Sequence, residues 1–402
     1  MGKKKLMLLG GLRYLLPVIE AAHNQGYHVI TADYLPDNIA HKYSDGYVNV
    51  SIVDKEAVLK AASELRIDGI MSFACDPGVV TASYVQNRLC LPSFGPYESV
   101  EILQNKDRFR SFLAGHGFNV PWAKGFDDVG SALREAVDFP WPVIVKPTDS
   151  AGSKGCTRVD RFEDIRPALE IARSYSISGR IIVEEFLQKE GCSSDSDGMS
   201  IDGKLVFNSF SAQRFDTDSS NPFTPAAYSW PSTFTPGQEQ YLNGEIQRLI
   251  SLLNLKTAVY NIETLVGTDG KPYIMELTPR GGGNRLSEMV RYITDVDLIT
   301  AITRYTVGDS LLEPISQKPC TGHWAEIILH SNSGGVFDRI EIDGSLTPSI
   351  IECDLWVKPG DHVECFQGAN AAIGTLIMRF DTEQDLENCL SCQDQWLRIL
   401  TK

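Results

Sequence analysis

The sequence of 402 residues has no apolar run long enough to cross a bilayer, because a spanning helix needs about 20 apolar residues in succession. The N-terminal stretch MGKKKLMLLGG places lysines before a short apolar run, as a secretory signal does, but no small-residue cleavage site follows. We therefore expect no membrane span, interpret the apolar run as a first strand, and expect a cytoplasmic protein.

Positive charge is also scarce in this chain. It has 37 lysines and arginines against 52 aspartates and glutamates, a formal net charge of −15. Nucleic acid and anionic membranes attract basic surfaces, so we expect neither as the main partner. Hydrophobic residues make up 43% of the chain, which is typical of a globular protein. The length predicts two or three domains.

The nine cysteines lack the regular spacing and even number of a disulfide framework. This usage is typical of a protein in the reducing cytosol. Cys389 and Cys392 form a Cys-x-x-Cys pair within a segment of helical pattern, without a second pair or a histidine nearby. We interpret them as thiols on a helix face; the alternative is a metal or redox site.

The first 95 residues alternate strand and helix patterns. The strand patterns are KKLMLLGG, YHVITADY, YVNVSI and DGIMSFACD. Such alternation predicts an α/β domain with a doubly wound parallel sheet. Gly10, Gly11 and Asp33 resemble part of a dinucleotide-binding fingerprint, but the third glycine of G-x-G-x-x-G is absent. This disfavours a nicotinamide site relative to a small-ligand edge or plain fold geometry.

Three further segments describe the organisation of the chain. A single helix is predicted over YESVEILQNKDRFRSFLAGHG. The region 216–237 is rich in Ser, Thr, Pro and aromatic residues and is predicted to be a long ordered loop. After Gly308 the chain becomes strand-rich and ends in the helix that carries Cys389.

The loop DSAGSKG follows the strand pattern VIVKP. It does not match the Walker A pattern, but glycine and serine directly after a strand allow backbone N–H groups to approach phosphate oxygens. Lys146 ends the strand, either with its ammonium reaching outward to solvent or as a point charge facing phosphate.

A second strand pattern, IIVEEFL, carries Glu184 and Glu185. Successive residues of a strand point to opposite faces, so one glutamate is expected to face a ligand or the core and the other solvent. The alternative is a charge pair on an edge strand.

A hairpin is predicted where VYNIETLV and KPYIMELT meet at Asp269-Gly270. A two-residue turn there places Leu265 opposite Ile274 and Glu263 opposite Glu276. Like charges directly opposite destabilise a sheet, and buried paired carboxylates need a proton or a cation between them. A hard cation such as Mg²⁺ suits oxygen ligands.

Directly downstream of the hairpin come Arg280, a planar donor suited to phosphoryl or carboxylate groups, and three successive glycines. A phosphate-facing lysine, a glycine loop, a carboxylate pair and an arginine together indicate a nucleotide phosphoryl-transfer site.

The order of these motifs resembles that of the ATP-grasp superfamily of carboxylate–amine ligases. The matching positions are Lys106 in QNKDRFR, Lys146 in VIVKP, the loop DSAGSKG, the run VEEFL, and the hairpin with Glu263, Glu276, Thr278 and Arg280. The segment VKPGDHVECFQGANAAIGTLIMRFDTEQDLENCL resembles the closing part of ligases related to biotin carboxylase and amino-acid ligases, and carbamoyl-phosphate synthases share the layout. The resemblance implies an N-terminal domain over 1–95, a two-lobed ATP-grasp body over 96–308 (lobes 106–180 and 181–308) and a β-rich subdomain over 309–402.

The resemblance also implies which residues bind ATP: Lys106, Lys146, Ala151, Gly152, Ser153, Gly155, Glu184, Phe186, Leu187 and Glu190. The lysines and the loop would contact the phosphates. Glu184 and the backbone of Phe186 and Leu187 would hold adenine, and Glu190 the ribose.

Metal and substrate contacts follow from the same resemblance. Glu263, Glu276 and Thr278 would hold Mg²⁺ or Mn²⁺, although relatives usually have asparagine at the position of Thr278. Arg280 and Lys146 would act on the transferring phosphoryl group. Arg280, Asn284 and Arg285 would contact substrate, with the strand ends near Gly10-Gly11 and Ala74–Asp76 and the loop 216–237 also contributing to substrate choice.

We therefore predict an ATP-dependent ligase that joins a small carboxylate to an amine through an acyl phosphate, on an amino acid or another small metabolite. Its partners would be ATP and these substrates, and a homodimer is left open. The alternatives are a ligase of the purine-biosynthesis type and a catalytically silent ATP-binding regulatory protein. A nicotinamide-dependent dehydrogenase rests only on the incomplete glycine turn.

Overall fold

The computed structural model describes residues 2–150, 152–311, 315 and 317–402. Across these ranges, no helix is both long and apolar enough to cross a membrane.

The N-terminal part forms the parallel sheet expected from the alternating patterns. Its strands are β1 (Lys5–Leu9), β2 (His28–Asp33), β3 (Gly46–Asn49) and β4 (Gly69–Ser72), in the order β3-β2-β1-β4. Its helices are α1 (Leu16–Asn24), α2 (Lys55–Leu65) and α3 (Val79–Arg88). The residues of β1 are buried from Leu6 to Leu9, as a strand covered by helices on both faces requires.

The segment predicted as one helix is two helices, α4 (Tyr97–Gln104) and α5 (Lys106–Gly115). The break lies at Asn105, which has an extended backbone and accepts a hydrogen bond on its side-chain oxygen from the N–H of Arg108 at 3.0 Å. Such N-cap bonds satisfy donors that a helix start leaves free. The break places Lys106 at the first position of α5.

A small antiparallel sheet follows, covered on one face by two helices. Its elements are β5 (Ala123–Phe126), α6 (Val129–Glu135), β6 (Val143–Pro147), β7 (Thr157–Val159), α7 (Ile165–Tyr175) and β8 (Ile181–Glu185). The strand order is β5-β8-β6-β7. The strand β8 is therefore central, and the edge-strand interpretation of Glu184 and Glu185 is wrong. The sheet also extends to Glu185, beyond the predicted lobe boundary at 181.

A second antiparallel sheet carries the predicted hairpin. Its elements are β9 (Ser194–Ile201), β10 (Lys204–Asn208), α8 (Pro236–Leu252), β13 (Ala258–Val266) and β14 (Pro272–Thr278), with strands in the order β10-β9-β13-β14. The helix α8 begins with a reciprocal cap: Thr235 N–H donates to Gln238 Oε1 at 2.8 Å, and Gln238 N–H donates to Thr235 Oγ1 at 3.3 Å. It packs Leu242, Ile246 and Leu249 into the main core.

The hairpin register confirms one predicted pair and corrects another. Glu263 does lie opposite Glu276, but Leu265 pairs with Tyr273 and not with Ile274. Gly267 N–H donates to the Lys271 carbonyl at 2.9 Å, so the turn spans residues 268–270 and not two residues. A bulge near Met275 then shifts the register back by one.

The last sheet crosses the predicted boundary at 308. Its strands are β11 (Ala212–Phe215), β12 (Pro225–Trp230), β15 (His323–Leu329), β17 (Ile350–Leu355) and β19 (Gly374–Phe380), in the order β11-β12-β15-β19-β17. The strand β12 lies within the region 216–237, so the prediction of one long loop there is wrong. The pairing of β12 with β15 joins the predicted ATP-grasp body to the predicted C-terminal subdomain in one sheet.

Two helices, α9 (Leu286–Thr294) and α10 (Leu298–Thr306), follow the glycine triplet. The C-terminal part adds β16 (Gly335–Ile342), β18 (His362–Val363), α11 (Glu383–Ser391), α12 (Gln393–Trp396) and β20 (Leu397–Thr401), with the strands in the order β18-β16-β20. The chain thus ends in a strand, not in the helix of Cys389. All nine cysteines are free, and Cys389 is buried.

Candidate active site

A cavity of about 310 Å³ lies where the end of β4, the glycine-serine loop, the second sheet and the glycine triplet meet. Asp76, Ser153, Glu263, Glu276 and Arg280 all line it. Four segments that lie far apart in the sequence therefore converge on one space, as the motif order led us to expect.

Three carboxylates form a row across the sheet under this cavity. Glu263 pairs with Glu276 on one side and with Asp195 of β9 on the other. Burial and the neighbouring Glu276 raise the pKa of the Glu263 carboxyl. Burial also opposes the ionised form of Glu276, but Lys106 and Arg280 outweigh it, so the pKa of Glu276 is lowered. Lys106 Nζ lies 3.8 Å from Glu276 Oε2.

The residues present fit a divalent cation. Glu263 makes no hydrogen bond or ion pair within the described part of the chain, although it lies beside a second carboxylate. The Thr278 hydroxyl lies 3.4 Å from Glu276 Oε1 and accepts a hydrogen bond from Gln104 at 3.0 Å. No three His, Cys, Asp or Glu side chains cluster as metal ligands among the described residues. Mg²⁺ suits such a sparse set, because it keeps several waters and takes one or two carboxylates.

Lys146 and Glu184 belong to a buried ion cluster beside the cavity. Lys146 Nζ donates to Glu184 Oε2 at 2.8 Å, and Arg110 Nε lies 3.0 Å from Glu184 Oε1. Glu184 is fully buried; burial raises its pKa, but Arg110 and Lys146 together lower it to about 2. Both carboxylate oxygens face cations of the protein, so the structure gives no support to Glu184 as an adenine contact.

Arg110 is a site residue that the sequence interpretation missed. It lies four residues after Lys106 in α5, and residues at that spacing share one helix face. Its Nη1 donates to the Met275 carbonyl at 2.8 Å, and its side chain is 4% exposed. The spacing from Lys106 was the available signal.

The remaining predicted nucleotide contacts are placed as follows. Gly152 and Ser153 line the cavity with positive φ angles of 67° and 57°, and Ser153 Oγ donates to the Phe223 carbonyl at 3.0 Å. Ala151 lies outside the described residues. Phe186 N–H donates to the Pro142 carbonyl at 3.0 Å, and Phe186 is not among the cavity residues. Glu190 is exposed and is not among the cavity residues.

Arg280 joins the glycine triplet to the N-terminal domain. Its Nη2 and Nε lie 2.7 and 2.8 Å from Asp76 Oδ1, and Ala74 N–H donates to the Gly281 carbonyl at 3.0 Å. A side chain at Gly281 would meet the Phe73 ring at 2.2 Å, so this close approach requires glycine. The expected proximity of Ala74–Asp76 to the arginine loop is observed.

The two candidate substrate residues after the glycine triplet differ in position: one lines the cavity and the other does not. Asn284 lines the cavity and is bonded to two tyrosines. Arg285 is not among the cavity residues: its guanidinium contacts Glu288 at 2.9 Å and Glu352 at 2.7 Å. The substrate role of Arg285 is therefore not supported, because its charge is already neutralised by these two carboxylates.

Asp195 and Asp197 were also missed. Gly282 N–H donates to both oxygens of Asp197, at 2.9 and 3.1 Å, and Ser287 bonds to the same carboxylate. Burial raises the pKa of Asp197 to about 6 and, with Glu263, that of Asp195 to about 8. The spacing of two in SDSD was the available signal, since it places both on one strand face.

Comparison with known families gives a match to the ATP-grasp domain over residues 139–288. The carbamoyl phosphate synthase large chain of Thermotoga neapolitana is 25% identical over 221 residues, which cover 55% of this chain and 20% of that protein. The formate-dependent phosphoribosylglycinamide formyltransferase of a Synechococcus strain is 29% identical over 191 residues, or 46% of this chain and 48% of that protein. The chain thus spans about a fifth and about half of these two relatives.

Two solved structures share the fold over their full lengths. The L-amino acid ligase from Bacillus licheniformis superposes with a TM-score of 0.80 at 19% identity, covering 100% of both chains. Phosphoribosylglycinamide synthetase from Anaerococcus prevotii gives a TM-score of 0.77, also at 19% identity and 100% coverage of both. Residues 139–288 match the ATP-grasp domain, and the whole chain shares the fold of these two solved structures.

Proposed function

We propose that the protein is an ATP-dependent ligase that joins a carboxylate to an amine. In this reaction the substrate carboxylate attacks the γ-phosphorus of ATP, ADP leaves, and an acyl phosphate forms. The amine then attacks the acyl carbon and phosphate departs, so that a C–N bond replaces the C–O bond. The observation that carries the proposal is the Glu263–Glu276 pair, which lines the cavity together with Arg280 and has Lys106 Nζ 3.8 Å from Glu276.

The cationic side chains would bind and orient the phosphates. Lys106 and Arg280 carry positive charge at the Glu276 side of the cavity, and Arg280 presents planar donors suited to a phosphoryl or carboxylate group. Lys146 is held by Glu184 at the edge of the glycine-serine loop, so its position is fixed before nucleotide arrives. Preorganised charge of this kind stabilises a transition state without reorganisation.

Glu263 and Glu276, with Thr278 beside them, are the residues that would hold Mg²⁺ or Mn²⁺. The metal would supply neutralisation of charge on the phosphate oxygens. The cavity walls would restrict the access of water, which protects a reactive acyl phosphate from hydrolysis. A cytoplasmic location and a homodimer remain predictions of the sequence.

The test is ADP release across a matrix of carboxylates and amines. Activity with at least one pair, dependent on both substrates, is the expected result. Glu276→Gln should abolish it, whereas Glu170→Gln, on the exposed face of α7, should not change it. Full activity in Glu276→Gln would show that the metal assignment is wrong. ATP binding without ADP release for any pair would favour a silent regulatory protein.

A further inference from the structure

A directed chain of hydrogen bonds runs along one wall of the cavity and ends at Asp195. Tyr14 OH donates to Asn284 Oδ1 at 3.0 Å, and Asn284 Nδ2 donates to Tyr228 OH at 3.2 Å. Tyr228 OH in turn donates to Asp195 Oδ2 at 3.2 Å. Asn261 Nδ2 donates to Asp195 Oδ1 at 2.6 Å. In each of these bonds the donor lies further from Asp195 than the acceptor does. The wall therefore presents hydrogen-bond acceptors to the cavity at Asp195, and not donors.

Asp195 has acceptor capacity to spare. A carboxylate has about four lone-pair positions, and the two contacts from Tyr228 and Asn261 use two of them. No lysine, arginine or histidine in the described ranges forms an ion pair with it, because Arg280 is paired with Asp76. Among the described residues, the Asp195 carboxylate therefore has no partner in an ion pair.

The walls around Asp195 favour an organic cation over a bare metal ion. Tyr228 and Phe223 line the same cavity, together with Leu12 and Pro225. Phe215 also lines it, and the Lys189 ammonium lies over the Phe215 ring, 4.6 Å from its centroid. Aromatic faces attract ammonium groups, whereas Mg²⁺ requires a shell of oxygen ligands. Asp195 also lies outside any three-ligand cluster in the described part of the chain.

We propose that Asp195, in the cavity that Tyr228, Phe215 and Phe223 also line, binds the protonated amine of the carboxylate substrate, which makes that substrate an amino acid. The inference rests on the proposed function, since Arg280, which lines the same cavity, would take the carboxylate end. Asn261 and Tyr228 donate hydrogen bonds to Asp195 and hold its carboxylate in place. An ammonium group is the ligand group that complements this carboxylate in charge.

The test compares amino acids with their des-amino analogues, for example alanine with propionate and phenylalanine with 3-phenylpropionate. Hydroxylamine serves as the common amine, and ADP release gives KM for each acid. Hydrogen bonds to a charged group predict a KM about 10- to 100-fold lower for the amino acid. Asp195→Asn should remove this difference, and Asp381→Asn, at an exposed aspartate away from the cavity, should preserve it.

The outcomes separate this inference from the proposed function. Equal KM values for both acids in the wild-type protein would overturn the role of Asp195 and leave the ligase proposal intact. If no acid releases ADP, the ligase proposal fails, and thermal shifts with alanine and propionate decide about Asp195. A thermal shift of the wild-type protein with alanine but not with propionate, lost in Asp195→Asn, would support the inference. Equal shifts with alanine and propionate would overturn it. Loss of Mn²⁺ binding in Asp195→Asn with unchanged amine discrimination would make Asp195 a metal ligand and also overturn it.

Discussion

Glu263 lies directly opposite Glu276 in the β13–β14 pair, and the Glu263 side chain forms no hydrogen bond or ion pair with any described residue. The pair is retained although like charges across a sheet cost stability. The opposed glutamates are therefore a place where folding stability and ligand binding conflict.

We expect Glu263→Gln to stabilise the protein without nucleotide and to abolish stabilisation by ATP with Mg²⁺. Removing one charge should raise the free energy of unfolding by about 0.5 kcal/mol. The Glu263 pKa is raised in the fold, so its ionisation is opposed and the gain should be larger at pH 8 than at pH 5. Urea unfolding with and without ATP and Mg²⁺ measures both effects. A variant that kept the full nucleotide-dependent shift would contradict the metal role.

Glu184 should matter chiefly for stability. Glu184→Gln would leave Arg110 and Lys146 buried without a counter-charge, a loss of about 3–5 kcal/mol. Glu185→Gln, the neighbouring residue on the opposite strand face, is the matched control. Because the folded pKa of Glu184 is about 2, its contribution is present above the unfolded value of about 4.3 and is lost as the pH falls towards 2. The difference between wild type and Glu184→Gln should shrink over that range in chemical unfolding.

The pairing of Glu263 with Glu276 was predicted correctly from the sequence, although the turn and the register from which it was predicted are wrong. The Asp269-Gly270 turn predicted a register that is wrong near the turn, where Leu265 pairs with Tyr273. The bulge near Met275 shifts the register by one residue and restores the predicted partner of Glu263. A bulge depends on tertiary packing on both strand faces, so the local pattern did not indicate it.

Contacts between distant segments were the least predictable part. Asp76 and Arg280 are 204 residues apart, and the pairing of β12 with β15 crosses the predicted boundary at 308. Asp195 was missed because the strand β9 carries serines, aspartates and a glycine, which are weak strand formers. Its position follows from the pairing of β9 with β13, which places Asp195 opposite Glu263.

The contact between Gly281 and Phe73 should be essential for joining the arginine loop to β4. Gly281→Ala should cost about 1–3 kcal/mol, because its Cβ would overlap the ring. In a double-mutant cycle, Phe73→Ala should offset part of the cost, since it removes the overlapping atoms. Gly283→Ala is the matched control, where an added Cβ meets nothing within 4 Å. Thermal unfolding measures the coupling; additive effects of Gly281→Ala and Phe73→Ala would contradict the steric account.

Glu326 is a second acidic residue whose placement lowers folding stability, and it is not among the residues that line the cavity. It is fully buried in β15, and neither carboxylate oxygen has a hydrogen-bond partner among the described residues. Its cross-strand neighbour is Tyr228. Burial raises its pKa well above the usual value; Arg285 opposes this, and Glu288 adds to it. The carboxyl is therefore held neutral in the fold.

This neutral carboxyl should make stability fall as the pH rises. An unfolded glutamate releases its proton near pH 4.3, whereas folded Glu326 keeps it, so the loss accumulates above that pH at up to about 1.4 kcal/mol per unit. Glu326→Gln removes this titration. The free energy of unfolding of the variant, relative to that of wild type, should therefore increase between pH 5 and pH 8. Glu364→Gln, at an exposed position, should follow the wild-type curve. Parallel curves for wild type and Glu326→Gln would mean that Glu326 is ionised in the fold and has a charged partner.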